Sequence, residues 1–323
     1  SPLSALNIPG GWFKSNKLDF SISAKLVDLS FVGINKSIPS VSNLNGFLST
    51  NQNQGTLTVN STNLGLEINN LLADPKIQLD RASGQINWSK QKGNWVISTN
   101  KLSLSNPEIS TTISANYTIG NAKNPDFMEL DMDFSKAKLI TAHRYLPVSM
   151  DRDTQTYLSK AFAAGTIQDG SLHIKGDPNS IPFPKGVVGE FALKLPITGA
   201  SFSPAPSQAS VQGVWFPFTN INDVIAMQNS SFTVDINKAN YKQIALNNFH
   251  AEIPNVSAKQ LILAVGGQAN GEASQMLEYL FASPVGKRQI KLEKNLRVSG
   301  PTNLGLDFKI PLSATNKIGR AHV

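Results

Sequence analysis

The side chains with most reach for chemistry are few and scattered. The histidines are His143, His173, His250 and His322, too far apart in sequence for metal-ligand spacing. His173 and His250 fall at the polar positions of alternating segments, which reads as solvent exposure. Asp151 and Asp153 flank Arg152 where a helical pattern begins. Carboxylates there favour the N-terminal dipole, so capping explains them better than catalysis. Gly266-Gly-Gln-Ala-Asn-Gly271 has glycines but no phosphate-loop lysine and no βαβ setting, so it reads as a turn. There is no cysteine, which excludes disulfides, Cys-ligated metals and a thiol nucleophile. Asn-x-Ser/Thr triplets at Asn60, Asn87, Asn116 and Asn229 are what a chain this rich in Asn and Ser yields by chance. Trp88 and Trp95 lie on the apolar side of facing strands and read as core before they read as a stacking platform. The expectation is a non-enzymatic protein with no cofactor, no bound metal and no nucleic-acid partner.

Charge adds little. The net value of +7 is spread thinly, and charged residues make up 16% of the chain. The densest basic run, Lys287, Arg288, Lys291, Lys294 and Arg297, contains Glu293 and no interleaved aromatic. It reads first as a solvated surface, with an anionic-headgroup or nucleic-acid contact second. Polar positions are filled mostly by Ser, Thr, Asn and Gln, as on the neutral face of a β-rich protein.

The elements show their own order. Gly46 and Gly84 lie 38 positions apart (84 − 46), as do Gly55 and Gly93 (93 − 55). The same shift lays Leu57 on Trp95, Val59 on Ile97, Leu64 on Leu102 and Leu66 on Leu104. That is a repeated hairpin unit over about 41–106, with glycines expected at its turns and one apolar face. Phe20, Ile22, Ala24 and Leu26 alternate with Ser and Lys. Ile113, Ala115, Tyr117 and Ile119 do so later, followed by Met128, Leu130, Met132 and Phe134. His143 to Pro147 is expected to close a strand. Two helices are expected, at 151–164 with Gly165 as stop and at 272–281, the latter carrying Met276, Leu277, Leu280 and Phe281 as its stripe. Strands resume at Gly170–Gly176, Gly189–Pro196, Ser231–Ile236, Asn248–Ile253, Gln260–Val265, Leu296–Val298 and Leu304–Ile310, with prolines such as Pro196 and Pro311 at strand ends.

No strand–helix alternation would build a parallel sheet, so antiparallel hairpins dominate. At 323 residues the chain exceeds the usual single core, leaving two domains or one elongated array. Roughly twenty strands of ~4.8 Å spacing would give a rod of about 96 Å. Two short helices cannot cover so much apolar face. Either two sheets pack as a closed sandwich or solenoid, suited to an envelope scaffold or adhesin, or one sheet curls into a lined trough. Both remain open on pattern alone.

The downstream half carries a resemblance. His143-Arg-Tyr-Leu-Pro147, Tyr157 to Gly165, Gly170 to Gly176, Phe183 with Gly189-Glu-Phe, and Leu195 to Phe202 resemble the central region of the YhdP family. Ala251 to Pro254, Leu261-Ile-Leu263 and Val298 to Leu312 look like its following strands, so the likeness spans about 139–312. The earlier repeats resemble the NLxG hairpins of the wider AsmA-like group that includes TamB. The resemblance implies a Gram-negative envelope protein of the periplasm, anchored in the inner membrane outside this segment. It also implies a mainly β fold, an elongated, curled antiparallel sheet forming an open apolar groove over 1–317, that conducts phospholipid between inner and outer membranes. Other envelope proteins would be partners at its ends.

The resemblance carries no catalytic residues; Tyr145, Leu146, Pro147, Phe162, Gly165, Gly170, Gly176, Phe183 and Gly189 read as structural. It turns the apolar parity into groove lining. In the first half that means Phe20, Ile22, Leu57, Val59, Leu64, Leu66, Ile86, Trp88, Trp95, Ile97, Leu102, Leu104, Ile113, Leu130 and Met132. In the second it means Leu172, Ile174, Phe191, Leu193, Phe232, Val234, Leu261, Leu263, Leu306 and Phe308. The last six residues, 318–323, spell a translated sequencing adapter and are set aside; the chain is expected to be an internal piece of a longer protein.

Overall fold

A computed structural model describes residues 19–33, 39–69, 71–121, 124–206, 213–283 and 296–312. The basic run at 287–294, the opening loop at 7–11 and the segment 318–323 lie outside them. The described residues form one antiparallel sheet. Its first seven strands are β1 (Ser21–Phe31), β2 (Ser40–Asn51), β3 (Gln54–Glu67), β4 (Lys76–Gln91), β5 (Asn94–Ser105), β6 (Ile109–Thr118) and β7 (Phe127–Lys138). A 3-10 turn, Leu139–Tyr145, and helix α1 (Arg152–Ala161) follow, then β8 (Phe162–Ile167), β9 (Gly170–Gly176) and β10 (Gly189–Phe202). The chain continues through β11 (Phe218–Gln228), β12 (Ser231–Tyr241), β13 (Ile244–Ile253), β14 (Leu261–Glu272), helix α2 (Ala273–Ala282) and β15 (Pro301–Leu312).

Strands pair in chain order, except that β8 and β9 share one position between β7 and β10, each pairing with half of both neighbours. Pro196 sits in β10 where its partner changes from β9 to β8, so the missing N–H falls at a gap in the ladder. No second sheet packs on the first; the architecture is a single curled sheet, not a sandwich or a closed barrel.

Register propagates one apolar face across every strand. Leu48 pairs with Leu57, Leu57 with Ile86, Trp88 with Ile97, Ile97 with Tyr117, Ile113 with Met132 and Met132 with Leu172. Further on, Leu193 pairs with Met227, Met227 with Phe232, Val234 with Ala251, Ala251 with Val265 and Val265 with Phe308. Paired residues share a face, and period two extends it along each strand.

Period two breaks once in most strands, and the breaks lie side by side. Apolar positions step by three at Leu26/Leu29, Val41/Leu44, Ile197/Ala200 and Phe218/Ile221, where the pairing register also shifts or a residue enters the left-handed region, and at Leu79/Ala82, opposite left-handed Asn63. Left-handed Asp28, Asn43, Asn63, Gly199, Asn220 and Asn248 mark the row. Asn and Asp tolerate this conformation better than other L-residues because a short polar side chain bonds locally. Asn45 Oδ1 accepts from the Asp28 N–H at 3.1 Å, and Asn222 Oδ1 accepts from the Gly199 N–H at 2.8 Å. Asn43-Leu-Asn45 and Asn220-Ile-Asn222 are therefore one device used twice: a left-handed Asn, a buried apolar residue, and an Asn that fastens the neighbouring bulge.

Each bulge bends its strand. A row of them folds the sheet along a line across the strands, and the apolar face lies inside the fold. The deepest side chains follow that line: Leu64, Leu79, Ala82, Ala137, Ile197, Ala200, Ile221 and Ala239 are all buried without a second sheet, the last five with Met276 and Tyr279 of α2 and Phe216 packed on their cluster. Covering a Leu or Ile side chain this way contributes about 2 kcal/mol.

Several expectations need correction. Glycines do not simply mark turns: Gly93 does, in the Lys92-Gly93 hairpin where both residues have positive φ, but Gly84 lies mid-strand at the bulge. There a Cβ would stand 2.5 Å from the Lys101 carbonyl oxygen. Helix α1 ends at Ala161 because Phe162 pairs with Phe202 and opens β8, which contains Gly165. His143–Tyr145 is a 3-10 turn rather than the end of a strand. Gly266–Gly271 lies inside β14, where Gly267 leaves room for the Phe249 ring. Residues 296–298 are not a strand, and β11 was not foreseen.

Candidate functional site

The register places the expected lining residues of the strands on one face, and Phe20 one residue ahead of β1. Burial then divides that face along the bend. On one side the strand ends are joined by long connections, which hold the 3-10 turn, α1, the 213–217 segment and α2. On the other side stand tight hairpins such as 91–94 and 228–231, together with the longer 177–188 connection, which carries a 3-10 turn, Pro178–Ser180, and seats the fully buried Phe183 ring against Gly176 and Gly189 of the apolar face.

Val59, Leu64 and Ile174 are buried in protein. Leu57, Leu66 and Leu104 pack against the buried cluster of Val41, Leu44, Val59, Leu64, Leu79 and Ala82, and Leu102 is half-buried. Ile86, Trp88, Trp95, Ile113, Leu130, Met132, Leu172, Phe191, Leu193, Phe232, Val234, Leu261 and Leu263 are half-buried, as are Phe20 and Leu306. Ile22, Ile97 and Phe308 are open to solvent, Ile97 at 40%. Leu48, Ile225, Met227 and Val265 belong to the same face and were not foreseen as lining. Recognising β11 as a strand would have supplied two of them.

The face is almost uncharged. Among the described residues that alternate onto it, Lys90 and Asp223 alone carry charge. The Asp223 carboxylate is turned to Asn237, accepting from its backbone N–H and, at 2.7 Å, from its side-chain amide. The opposite face holds the polar pairs: His173 Nδ1 lies 2.7 Å from Asp131, His250 Nδ1 2.6 Å from Asp235, and Lys175 3.1 Å from Glu129. Among the described residues no three His, Asp or Glu are placed to hold a metal ion.

The helix-bearing side is closed by packing. Tyr279 of α2 meets Tyr241 edge-on at 4.7 Å and stacks on Phe218 at 5.6 Å, with Phe216 on Tyr241 at 5.3 Å. Burial pushes the Tyr157 and Tyr279 hydroxyls well above their ordinary range, and each donates to a backbone carbonyl, of Pro204 and Phe216. Helix α1 starts on Asp151, whose carboxylate accepts from Thr154 N–H at 2.8 Å, and its main neighbours are the 3-10 turn and β8.

Arg144 ties three connections together on this side. Its guanidinium reaches Asp74 at 2.8 Å and both Glu108 oxygens at 2.7 and 2.8 Å, while Tyr145 donates to Glu108 at 2.9 Å. The His143–Pro147 motif thus reads as a clamp between the β3–β4, β5–β6 and β7–α1 connections. These groups are about a third exposed, which screens the pair. Arg144→Ala is expected to cost about 1–2 kcal/mol, read as a lowered urea midpoint with unchanged slope.

The same contacts give a pH dependence. Arg144 holds the Asp74 carboxyl below its usual range, and Thr154 does so for Asp151. A carboxyl with depressed folded pKa stabilises the fold above its ordinary value, 3.8, and loses that contribution as pH falls through the depressed one. Stability should therefore decline with acid below about pH 4, and less steeply in Arg144→Ala, as equilibrium unfolding across pH would report.

Comparison with known proteins gave one match. The family model described as YhdP protein matches residues 4–323. No curated protein and no solved structure matches the chain.

Proposed function

The chain belongs to the YhdP family, and from that premise we propose that it is a stretch of a conduit for phospholipid across a Gram-negative envelope. Family membership points to AsmA-like envelope lipid transport. The finer reading is that acyl chains lie on the solvent-open part of the apolar face, on its hairpin side, in the periplasm, on their way between inner and outer membranes. The inner-membrane anchor and partner envelope proteins would lie outside this segment. Among the described residues no helix is long and apolar enough to cross a membrane.

One observation carries this reading: the apolar face passes from strand to strand across the sheet, and much of it, including Ile22, Ile97 and Phe308, is open to solvent, with the 177–188 connection and its Phe183 covering it at β9 and β10. Soluble proteins seldom expose so long an apolar strip without a ligand for it. A phospholipid with about thirty buried methylenes at ~0.8 kcal/mol each would cost about 24 kcal/mol to bring bare into water. A strip that is apolar at every step replaces most of that term along the whole route, with no specific pocket. Fourteen strand positions, β8 and β9 sharing one, give thirteen steps of ~4.8 Å, about 62 Å of path before twist.

The test is lipid extraction and mass spectrometry of the purified chain. Co-purifying phospholipid at a stoichiometry that survives gel filtration supports the proposal; an apolar face free of lipid in protein from a phospholipid-rich host would overturn it.

A further inference from the structure

We propose that Lys90, framed by Trp88 and Trp95 at the hairpin-side rim, binds the phosphate of a phospholipid headgroup whose acyl chains lie on the apolar face. The assignment rests on the groove reading and gives it a polar anchor.

Lys90 is out of place by type. It alternates with Ile86 and Trp88 on β4 and pairs with Trp95 on β5, so the register puts it on the apolar face. Three cations elsewhere are matched, Arg144 by Asp74 and Glu108, Lys175 by Glu129 and Lys242 by Glu278, while most other described lysines and arginines are unpaired on solvent-facing positions; what sets Lys90 apart is the face it lies on. Lys90 has no carboxylate within ion-pair distance among the described residues. Asp223, the other charge on this face, is already engaged by Asn237. A single unmatched cation on an apolar strip is what a ligand with apolar tails and one anionic group would complement.

Its surroundings hold it at the right height. The Lys90 N–H donates to the Asn53 carbonyl at 2.7 Å, fastening this strand end to the neighbouring hairpin. The Lys92-Gly93 turn closes two residues later, so the ammonium stands at the water boundary, where a lipid headgroup would remain solvated. Trp88 lies flat over Gly55, where any Cβ would collide with its indole. Trp95 stands directly across from Lys90. Indoles have an apolar body and a polar N–H, and suit the level where glycerol esters meet acyl chains. Below them on the same face lie Ile97, Ile86 and Leu57 for the tails.

The experiment compares retention of phosphatidylglycerol and of diacylglycerol with matched chains by the full chain and by Lys90→Gln and Lys90→Arg. Wild type should hold phosphatidylglycerol more tightly than diacylglycerol. Lys90→Gln should weaken phosphatidylglycerol binding about fivefold and leave diacylglycerol unchanged, with Lys90→Arg close to wild type. Glycerol phosphate, which has the anion without tails, should not displace the lipid; displacement would mark a free-phosphate site and overturn the headgroup assignment. Equal loss of both lipids in Lys90→Gln, or no loss of either, also overturns it while the groove reading stands. Wild type that binds neither lipid overturns both.

Discussion

Ile97→Asp is expected to strip co-purifying phospholipid from the protein while leaving its fold intact. Ile97 is 40% exposed on the solvent-open part of the face, so a carboxylate there stays hydrated and folding should lose little, about 1 kcal/mol. To a passing acyl chain the same carboxylate is a desolvation barrier of several kcal/mol, because the lipid would cover it without offering a partner. Lipid content by mass spectrometry should fall at least about tenfold, for about 1.4 kcal/mol or more of lost affinity. The unfolding midpoint should barely move. Val59→Asp makes a useful contrast. Val59 is buried beside Leu64 and Leu79, so its carboxylate would be trapped in protein, and expected destabilisation is about 3–5 kcal/mol. Lipid lost in that variant would report unfolding, not a blocked path.

Gly84→Val is expected to cost about 3–5 kcal/mol, a large share of a stability of roughly 5–15 kcal/mol. Gly84 has φ of 148°, and an added Cβ would meet the Lys101 carbonyl oxygen at 2.5 Å and Leu102 Cα at 2.8 Å. Both neighbours are backbone of the adjacent strand, so relief requires moving the ladder at the bulge. Strain and overpacking each contribute about 1–3 kcal/mol. Gly93→Ala is the matched control. Its φ is also positive, at 89°, but nothing lies within 4 Å of the added atom, so only the conformational cost of about 1 kcal/mol remains. Equal urea midpoints for the two variants would contradict close strand packing along the bulge row.

Much of the face is legible in the amino-acid pattern alone. Ile113 and Met132, or Leu172 and Leu193, alternate cleanly with polar neighbours, and register pairs them as period two requires. The 38-residue repeat is also real in three dimensions: it maps the β2–β3 hairpin onto β4–β5, and even buried Ser61 onto buried Thr99. What pattern reading missed was the phase slip. Asn43, Asn63 and Asn220 look like turn residues because their left-handed conformation is a turn conformation, yet they sit inside strands of 11 to 14 residues. The described residues form fifteen strands where roughly twenty were expected.

Access to the face was not legible at all. Val59 and Ile97 are equivalent in the repeat, apolar, β-branched and flanked by polar residues. One is buried and the other open, because the first lies close to the bend and the second out along the hairpin arm. That distinction comes from three-dimensional curvature, which no two-residue period records. The family motif at His143–Pro147 had no readable role either, since Arg144 meets Asp74 and Glu108 from 70 and 36 residues away.

On the function proposed above, lipid travels on one face of this sheet, along its solvent-open part. Photo-crosslinking in cells tests it most directly, with a benzophenone side chain placed at Ile97, at Leu193 and at Phe47. Phe47 is 49% exposed, slightly more than Ile97, but pairs with Lys25 and Thr58 on the opposite face. Phospholipid adducts are expected at positions 97 and 193 and none at 47. Equal labelling at all three, or adducts confined to 47, would contradict it.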